Sequence, residues 1–407
     1  MMPSMHRSHR VAGALVGSAV GDALGTPFES GPPGQFSARF PVPARGSKTE
    51  MCGSESLEPG EFTASTQQAL VFAESLLERG GLDEADLADR LCTWGGDLSV
   101  GPTTSAAIWF SRFGSETTMD AARRISALTN ADPAAGEAAA TFHELMRAAL
   151  DGDDPLASSE TDVAVHRTLE RALWALRKGR NFAEVMQLAI DVGDETNTVA
   201  AVAGGLAGAV FGMGGIPMRW SSAVHGRVRG FGDRRWGLAE LQELAAALEG
   251  KPLVHYSPGA IPRIGPREVL PGIWAGNLDG ARHSEEDFAV ISLCRLGDPF
   301  PHEVHRMAYI ADNDYNHDVD AVRADVLDDV AALRAEGHKV LVHCHAGASR
   351  TGLVLRAWLI RTEGMSVEEA TAQVPERWPH LGVWNHSFTT TLGRLHSGIE
   401  TPAPRWG

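Results

Sequence analysis

His343-Cys344-His345-Ala346-Gly347-Ala348-Ser349-Arg350-Thr351-Gly352 sets a cysteine and an arginine at the two ends of a tight loop. Before it, Lys339-Val340-Leu341-Val342 is a short apolar run that reads as a buried strand ending at His343. After it, Leu353, Leu355, Trp358 and Leu359 suit a partly buried helix. Strand, loop and helix in that order suit the binding of a tetrahedral anion. Successive backbone N–H groups of such a loop point inward, and the helix adds its positive end. Arg350 can grip two phosphate oxygens with its planar fork. Cys344 is favoured as a thiolate by the same field and can attack phosphorus, with Ser349 or Thr351 steadying the sulfur as it leaves. His345, Ala346, Gly347, Ala348, Ser349 and Thr351 form the candidate phosphate-binding set. A metal site at His-Cys-His, or a structural thiol at Cys344, is the competing reading. The lack of a second Cys or His pair at zinc spacing nearby argues against the metal.

With these residues in place, roughly the last 140 residues resemble the dual-specificity (protein-tyrosine-type) phosphatase family, a length suited to one compact α/β domain. The family signature is His-Cys, five residues, Arg, then Ser or Thr, and every position is filled here. The resemblance implies a phosphocysteine intermediate, no cofactor, and a general acid on a loop upstream of the cysteine. Asp312 and Asp314 are the candidates in Ile310-Ala311-Asp312-Asn313-Asp314-Tyr315, and Asp312 is preferred because it follows the apolar run Tyr309-Ile310-Ala311. Val322, Val326, Val330 and Leu333 mark a following helix that Gly337 can stop. His343 is expected to brace the loop, and Asn385 resembles a later family position near it. No lysine lies inside the loop, which argues against a highly phosphorylated lipid or inositol. Phosphotyrosine or phosphoserine/threonine on protein is the expected substrate, with a small phosphomonoester such as a phosphorylated ADP-ribose derivative behind it.

A chain of 407 residues has room for two domains, and 43% hydrophobic with 22% charged residues is ordinary for a folded chain in water. The net charge of −16 argues against nucleic acid or an anionic membrane as a partner. Cys52, Cys92, Cys294 and Cys344 are too scattered for a disulfide framework. A working thiol also needs a reducing compartment, so a cytoplasmic location is expected. Basic residues from His6 to Arg10 before the small-residue run Val11 to Gly21 imitate a signal peptide, but the Gly/Ala spacing also suits a closely packed helix. No apolar stretch is read as reaching the roughly 20 residues that span a bilayer.

The chain divides near residue 255. Pro252, Pro258, Pro262 and Pro266, with Gly259 and Gly265, mark 251–269 as a linker between a domain at 11–250 and one at 270–400. The first domain is mainly helical in pattern, as at Phe72, Ala73, Leu76, Leu77 and at Leu169, Leu173, Leu176. Strand-like alternation is scarce there. In the second, runs such as Ala289-Val290-Ile291 alternate with helical stretches, favouring an α/β sheet.

Separated pieces of the first domain resemble the ADP-ribosylglycohydrolase family, an all-α fold whose members usually use two magnesium ions. Gly13 to Gly25 looks like the family's opening helix, and Glu29 falls where the family carries a functional glutamate. Gly101-Pro102-Thr103-Thr104 matches a family loop, and Gly193-Asp194-Glu195-Thr196-Asn197-Thr198 tracks Gly-Gly-Asp-Thr-Asp-Thr. Where the family has Thr-Asp-Asp-Thr, this chain reads Thr63-Ala64-Ser65-Thr66. Asn130 replaces a frequent histidine. The paired aspartates of the first motif are gone, and those of the second align with Glu195 and Asn197. Magnesium requires hard, mostly anionic oxygen ligands, so this half keeps at most a weakened site with Thr63, Glu195 and Thr198 as candidates and Glu29 as a ligand-binding candidate. The expectation is an all-α ADP-ribosylglycohydrolase-like bundle, degenerate in catalysis, followed by an α/β cysteine-phosphatase domain. The alternative is an ADP-ribosylglycohydrolase, or a protein binding ADP-ribose or ADP-ribosylated protein, with a regulatory phosphatase domain.

Overall fold

The computed structural model describes residues 5–96, 103–130, 132–157, 167–251, 253, 261–296, 300–313, 316 and 318–399. Numbering helices longer than six residues, the first half runs α1 (Arg7–Gly25), α2 (Ala64–Arg79), α3 (Glu84–Trp94), α4 (Thr104–Phe110), α5 (Ser115–Ala127), α6 (Pro133–Asp151), α7 (Arg167–Lys178), α8 (Phe182–Ile190), α9 (Thr196–Phe211) and α10 (Leu238–Leu248). A small antiparallel hairpin, β1 (His225–Arg227) with β2 (Arg235–Gly237), precedes α10. Three-residue strands carry too little alternation to be seen in sequence.

The middle of this half is a backbone contact between α1 and α9. Glycines at positions 13, 17, 21 and 25 leave one face of α1 without side chains. A Cβ on Gly13 would collide with Gly208 O, on Gly17 with Gly204 O, and on Gly21 with Ala200 O. The partners descend as α1 ascends, so the helices run antiparallel, with no room for a larger residue along the seam. This corrects one sequence reading: α1 extended to Phe28 is long and apolar enough to span a bilayer. Its apolar window is 83% buried inside the fold, which is the packing of a core helix.

The second half follows with β3 (Arg267–Leu270), β4 (Ile273–Gly276), β5 (Phe288–Ser292), β6 (His305–Met307), α11 (Val319–Ala335), β7 (Lys339–His343), α12 (Ser349–Glu363), α13 (Val367–Arg377) and α14 (His386–His396). The sheet order is β3-β4-β7-β5-β6, parallel except for β3 against β4. Both faces are covered, which is why its central strands are continuous apolar runs. Val340, Val342, Ala289 and Ile291 join Val326, Val330 and Leu355 in one core, while Leu341, Phe288 and Val290 meet Phe300 on the other face. Of the expected linker, residues 252 and 254–260 lie outside the described residues, and 267–269 belong to β3.

The two halves share a polar seam. Arg45 of the first half bonds Asp325 at 2.8 Å and the fully buried Asp329 at 3.1 Å, both on α11. Asp325 also accepts the Met218 amide at 2.7 Å. Ser222 Oγ accepts the Met307 amide at 2.7 Å, and the Met218 side chain enters the core of the second half. These bonds tie Arg45 and the 218–222 segment of the first half to α11 and β6 of the second.

Candidate active site

The loop after the central strand β7 is shaped by bonds to its carbonyls. His345 O accepts the Leu278 amide at 3.1 Å, and Gly347 O accepts Trp378 Nε1 at 2.7 Å. With these carbonyls held outward, the intervening peptides turn their N–H groups inward. Among the described residues, no backbone carbonyl takes the amides of Ala346, Gly347 or Ala348. Gly347 has φ +71°, and a Cβ there would lie 2.9 Å from Gly276 O, so glycine is required on two grounds. The loop then enters α12, whose first-turn amides at Ser349 and Arg350 have no intrahelical partner. Three side-chain atoms at this point are buried without a hydrogen bond: Ser349 Oγ, Thr351 Oγ1 and Arg350 Nε. Buried polar groups are normally satisfied, so a cluster of orphans beside an inward-facing amide cradle is an anion site by its chemistry.

Cys344 sits at the base of this loop and is 1% exposed, within the core of the sheet domain. Behind it runs a chain of neutral groups whose tautomers the bonds assign. Phe300 N–H donates to His305 Nδ1, His305 Nε2 to Ser292 Oγ at 2.9 Å, Ser292 Oγ to His343 Nε2 at 2.6 Å, and His343 Nδ1 to Cys344 O. Phe300 stacks on both imidazoles. Burial lowers the pKa of His305 to about 4 and that of His343 to about 3, so neither adds charge behind the loop. His343 thus braces the Cys344 carbonyl. Sequence reasoning missed Trp378, Ser292 and His305, which lie far along the chain and carry no motif of their own. A second thiol, Cys294, lines the cavity above the loop, and burial pushes it up to about 12 against the pull of Arg350.

A cavity of about 810 Å³ opens above the loop, lined there by His345, Ala346, Arg350 and Asp312. Burial and the Arg350 charge lower the pKa of His345. Asp312 Oδ2 lies 3.7 Å from Arg350 Nε. The loop carrying Asp312 is pinned by Asn316, which bonds both sides of the Ala311 peptide, and by Asn385 Nδ2, which donates to Asn313 O at 3.0 Å. Asp314 lies outside the described residues.

In the first half, the ends of three helices meet where the sequence places the degenerate metal motifs. Asp22, at the end of α1, is fully buried and accepts both Thr63 and Thr66: their amides at 2.9 and 3.0 Å, their hydroxyls at 2.5 and 2.7 Å. The turn after Glu29 lies against the Asp194 turn through Ser30 N to Asp194 O at 2.9 Å. Thr63, Glu29, Glu195 and Thr198 are therefore brought to one end of the bundle. The two hydroxyls among them are engaged within the protein. Thr63 Oγ1 donates to Asp22, Thr198 Oγ1 to Asn197 Oδ1 at 3.3 Å, and Asp194 faces Arg171 and Arg167 at 3.4 Å. No group of three His, Cys, Asp or Glu side chains suited to a metal occurs among the described residues. Gly101 and Pro102 of the resembling loop lie outside the described residues.

Two hydrolase folds are thus joined in one chain, and sequence comparison agrees. Residues 3–116 and 157–253 match the ADP-ribosylglycohydrolase family, and residues 296–396 match the dual specificity phosphatase catalytic domain. The chain belongs to the ADP-ribosylglycohydrolase family through its first half and carries a dual specificity phosphatase domain as its second. It is 27% identical over 287 residues to the ADP-ribosylarginine hydrolase Tri1 of Serratia proteamaculans (strain 568), a match covering 54% of this chain and 76% of that protein. It is 29% identical over 166 residues to dual specificity protein phosphatase 5 of Rattus norvegicus, covering 38% of this chain but only 43% of that protein. A solved ADP-ribosylglycohydrolase-related protein complex aligns at 30% identity with a TM-score of 0.48, over 60% of this chain and 98% of that one.

Proposed function

We propose that this protein is a cysteine-dependent phosphomonoester hydrolase acting through the Cys344 loop. The observation that carries the reading is the convergence of Ser349 Oγ, Thr351 Oγ1 and Arg350 Nε, all buried and unsatisfied, on a loop whose carbonyls are tied outward. Arg350 and the loop amides hold the phosphoryl oxygens. The Cys344 sulfur attacks phosphorus, the P–O bond to the leaving group breaks, and Asp312 gives that oxygen its proton. Asp312, now a base, takes a proton from water as the water attacks phosphorus. The P–S bond breaks, releasing phosphate and the thiolate. A thiol used this way requires reducing surroundings, so we place the protein in the cytoplasm. The test is turnover of phenyl phosphate by the full chain and by Cys344→Ser. Loss of turnover in the variant, with a trapped phosphocysteine in wild type, is expected; equal turnover would end the reading.

We further infer that the helical half does not cleave ADP-ribosyl bonds by a two-magnesium route. The support is the donor set: Ala64 and Ser65 stand in the first motif, and the remaining Asp22 is used up by Thr63 and Thr66. Two dications there would lack the anionic oxygen they require. A binding role toward an ADP-ribosylated partner is compatible with the relationship to the ADP-ribosylarginine hydrolase.

A further inference from the structure

The cavity over the Cys344 loop is not built by the phosphatase half alone. Its opposite wall is Met213, Leu238, Ala239 and Gln242 of the helical half, with Glu243 the carboxylate that α10 adds. The seam through Arg45, Asp325, Ser222 and Met307 joins the helical half, to which that wall belongs, to the sheet half. A site of about 810 Å³ falls within the range of small-molecule pockets, roughly 300–1,000 Å³. A phosphate alone fills a small part of that volume.

The remaining volume contains a second cation. Arg295, directly after the buried Cys294, lines the cavity with its guanidinium 4.7 Å from the Tyr309 ring centroid. Its side chain has no carboxylate partner among the described residues. Tyr309 is backed by His9 of α1, whose ring meets it edge-on at 5.2 Å. Burial, then the Arg295 charge, lowers the pKa of His9 to about 4, so the histidine stays neutral there. One face of Arg295 therefore rests on an aromatic platform, and its donors carry no hydrogen bond among the described residues. A planar fork in this setting is suited to a carboxylate or phosphate. Arg350 already serves the reacting phosphoryl group, so Arg295 is available for a different anion.

We propose that the substrate is a small phosphomonoester carrying a second anionic group, enclosed between the two halves with its reacting phosphoryl group at Arg350 and its second anion at Arg295. This rests on the assignment of phosphatase chemistry to Cys344. The helical half then acts as a specificity wall rather than a second catalytic centre, which gives the fusion a physical reason. A phosphotyrosine peptide is the competing substrate.

The test measures kcat/KM of the full chain for phenyl phosphate, 3- and 4-carboxyphenyl phosphate, adenosine 3′,5′-bisphosphate and a phosphotyrosine peptide. At least one of the dianionic small molecules is expected to exceed phenyl phosphate tenfold or more. Arg295→Gln should lower that substrate's kcat/KM at least tenfold more than it lowers that of phenyl phosphate, and Arg295→Lys should restore part of the difference. Ala239→Trp, which narrows the far wall, should reduce the bisphosphate at least tenfold. A peptide preferred tenfold over every small dianion, or an Arg295→Gln effect equal on all substrates, would overturn the proposal while leaving Cys344 chemistry intact. A wild type that hydrolyses none of the five would instead remove the phosphatase reading on which the proposal rests.

Discussion

Asp312 Oδ2 stands 3.7 Å from Arg350 Nε, and Nη1 of the same guanidinium reaches the carbonyls of Leu293 and Ile310 at 3.3 Å each. One cation thus ties the loop bearing the carboxylate to the loop bearing the cysteine. None of these is a short charge-assisted bond, so a bound phosphoryl group with oxygens at normal hydrogen-bond distance can displace them.

Asp312→Asn is expected to lower kcat on phenyl phosphate by about 10²-fold, at the lower end of what a general acid supplies. The acid protonates the leaving oxygen, so the loss in the variant should shrink on 4-nitrophenyl phosphate, whose leaving group needs little protonation. Kinetics on both substrates check this. A variant within threefold of wild type on phenyl phosphate would transfer the role to Asp314.

Trp378→Phe removes one hydrogen bond and little volume. Because Nε1 holds Gly347 O outward at 2.7 Å, its loss lets that peptide turn and closes part of the amide cradle. We expect kcat/KM to fall tenfold or more while stability changes by only about 0.5–1.5 kcal/mol, the net worth of a hydrogen bond. Kinetics and urea melts on the same sample separate the two effects. Equal, small changes in both would show that Trp378 only packs.

Acid should weaken the phosphatase half through its buried histidines. His305 and His343 titrate near 4 and 3 when folded, against about 6.5 when unfolded. Between those values the unfolded chain binds more protons, so stability falls as pH drops below about 6.5. Thermal melts from pH 7 to pH 4 should show a falling midpoint. His305→Phe, which keeps an aromatic ring against Phe300, should make that fall shallower. A slope unchanged by the substitution would exclude His305 as a contributor.

Arg45→Ala leaves the fully buried Asp329 short of its 3.1 Å partner and takes one of several partners from Asp325. A loss of about 1.5–3 kcal/mol is expected, the scale of a hydrogen bond to a charged group. The halves should then unfold in two resolved transitions, with a single one expected of wild type. Calorimetry reads this directly, and a single transition in the variant would mean that other contacts carry the seam.

Titrating magnesium into the full chain should leave its melting temperature unchanged, and turnover of an ADP-ribosyl-arginine peptide should not depend on the metal. The reason is the occupied Asp22 carboxylate and the neutral Ala64-Ser65 pair. Magnesium-dependent cleavage would show that Glu29 and Glu195 still suffice.

Residues 343–352 could be read in advance because everything that shapes an anion loop lies within ten consecutive positions: the cysteine, the glycine at positive φ, the arginine, and the strand and helix beside them. Missing aspartates at Ala64 and Ser65 were equally visible, since a substitution in a motif needs no structure to be noticed. Other features depend on groups far apart in the chain. Trp378 against Gly347 and His305 and Ser292 behind His343 are contacts, and the sharing of one cavity by α10 and Arg295 a placement, that no local pattern encodes. The same limit applies to α1. Its length and apolarity suit a lipid bilayer or a protein core equally well, and what settled the matter was the glycine face of α9 that meets it, because burial is a property of the pair and not of either helix.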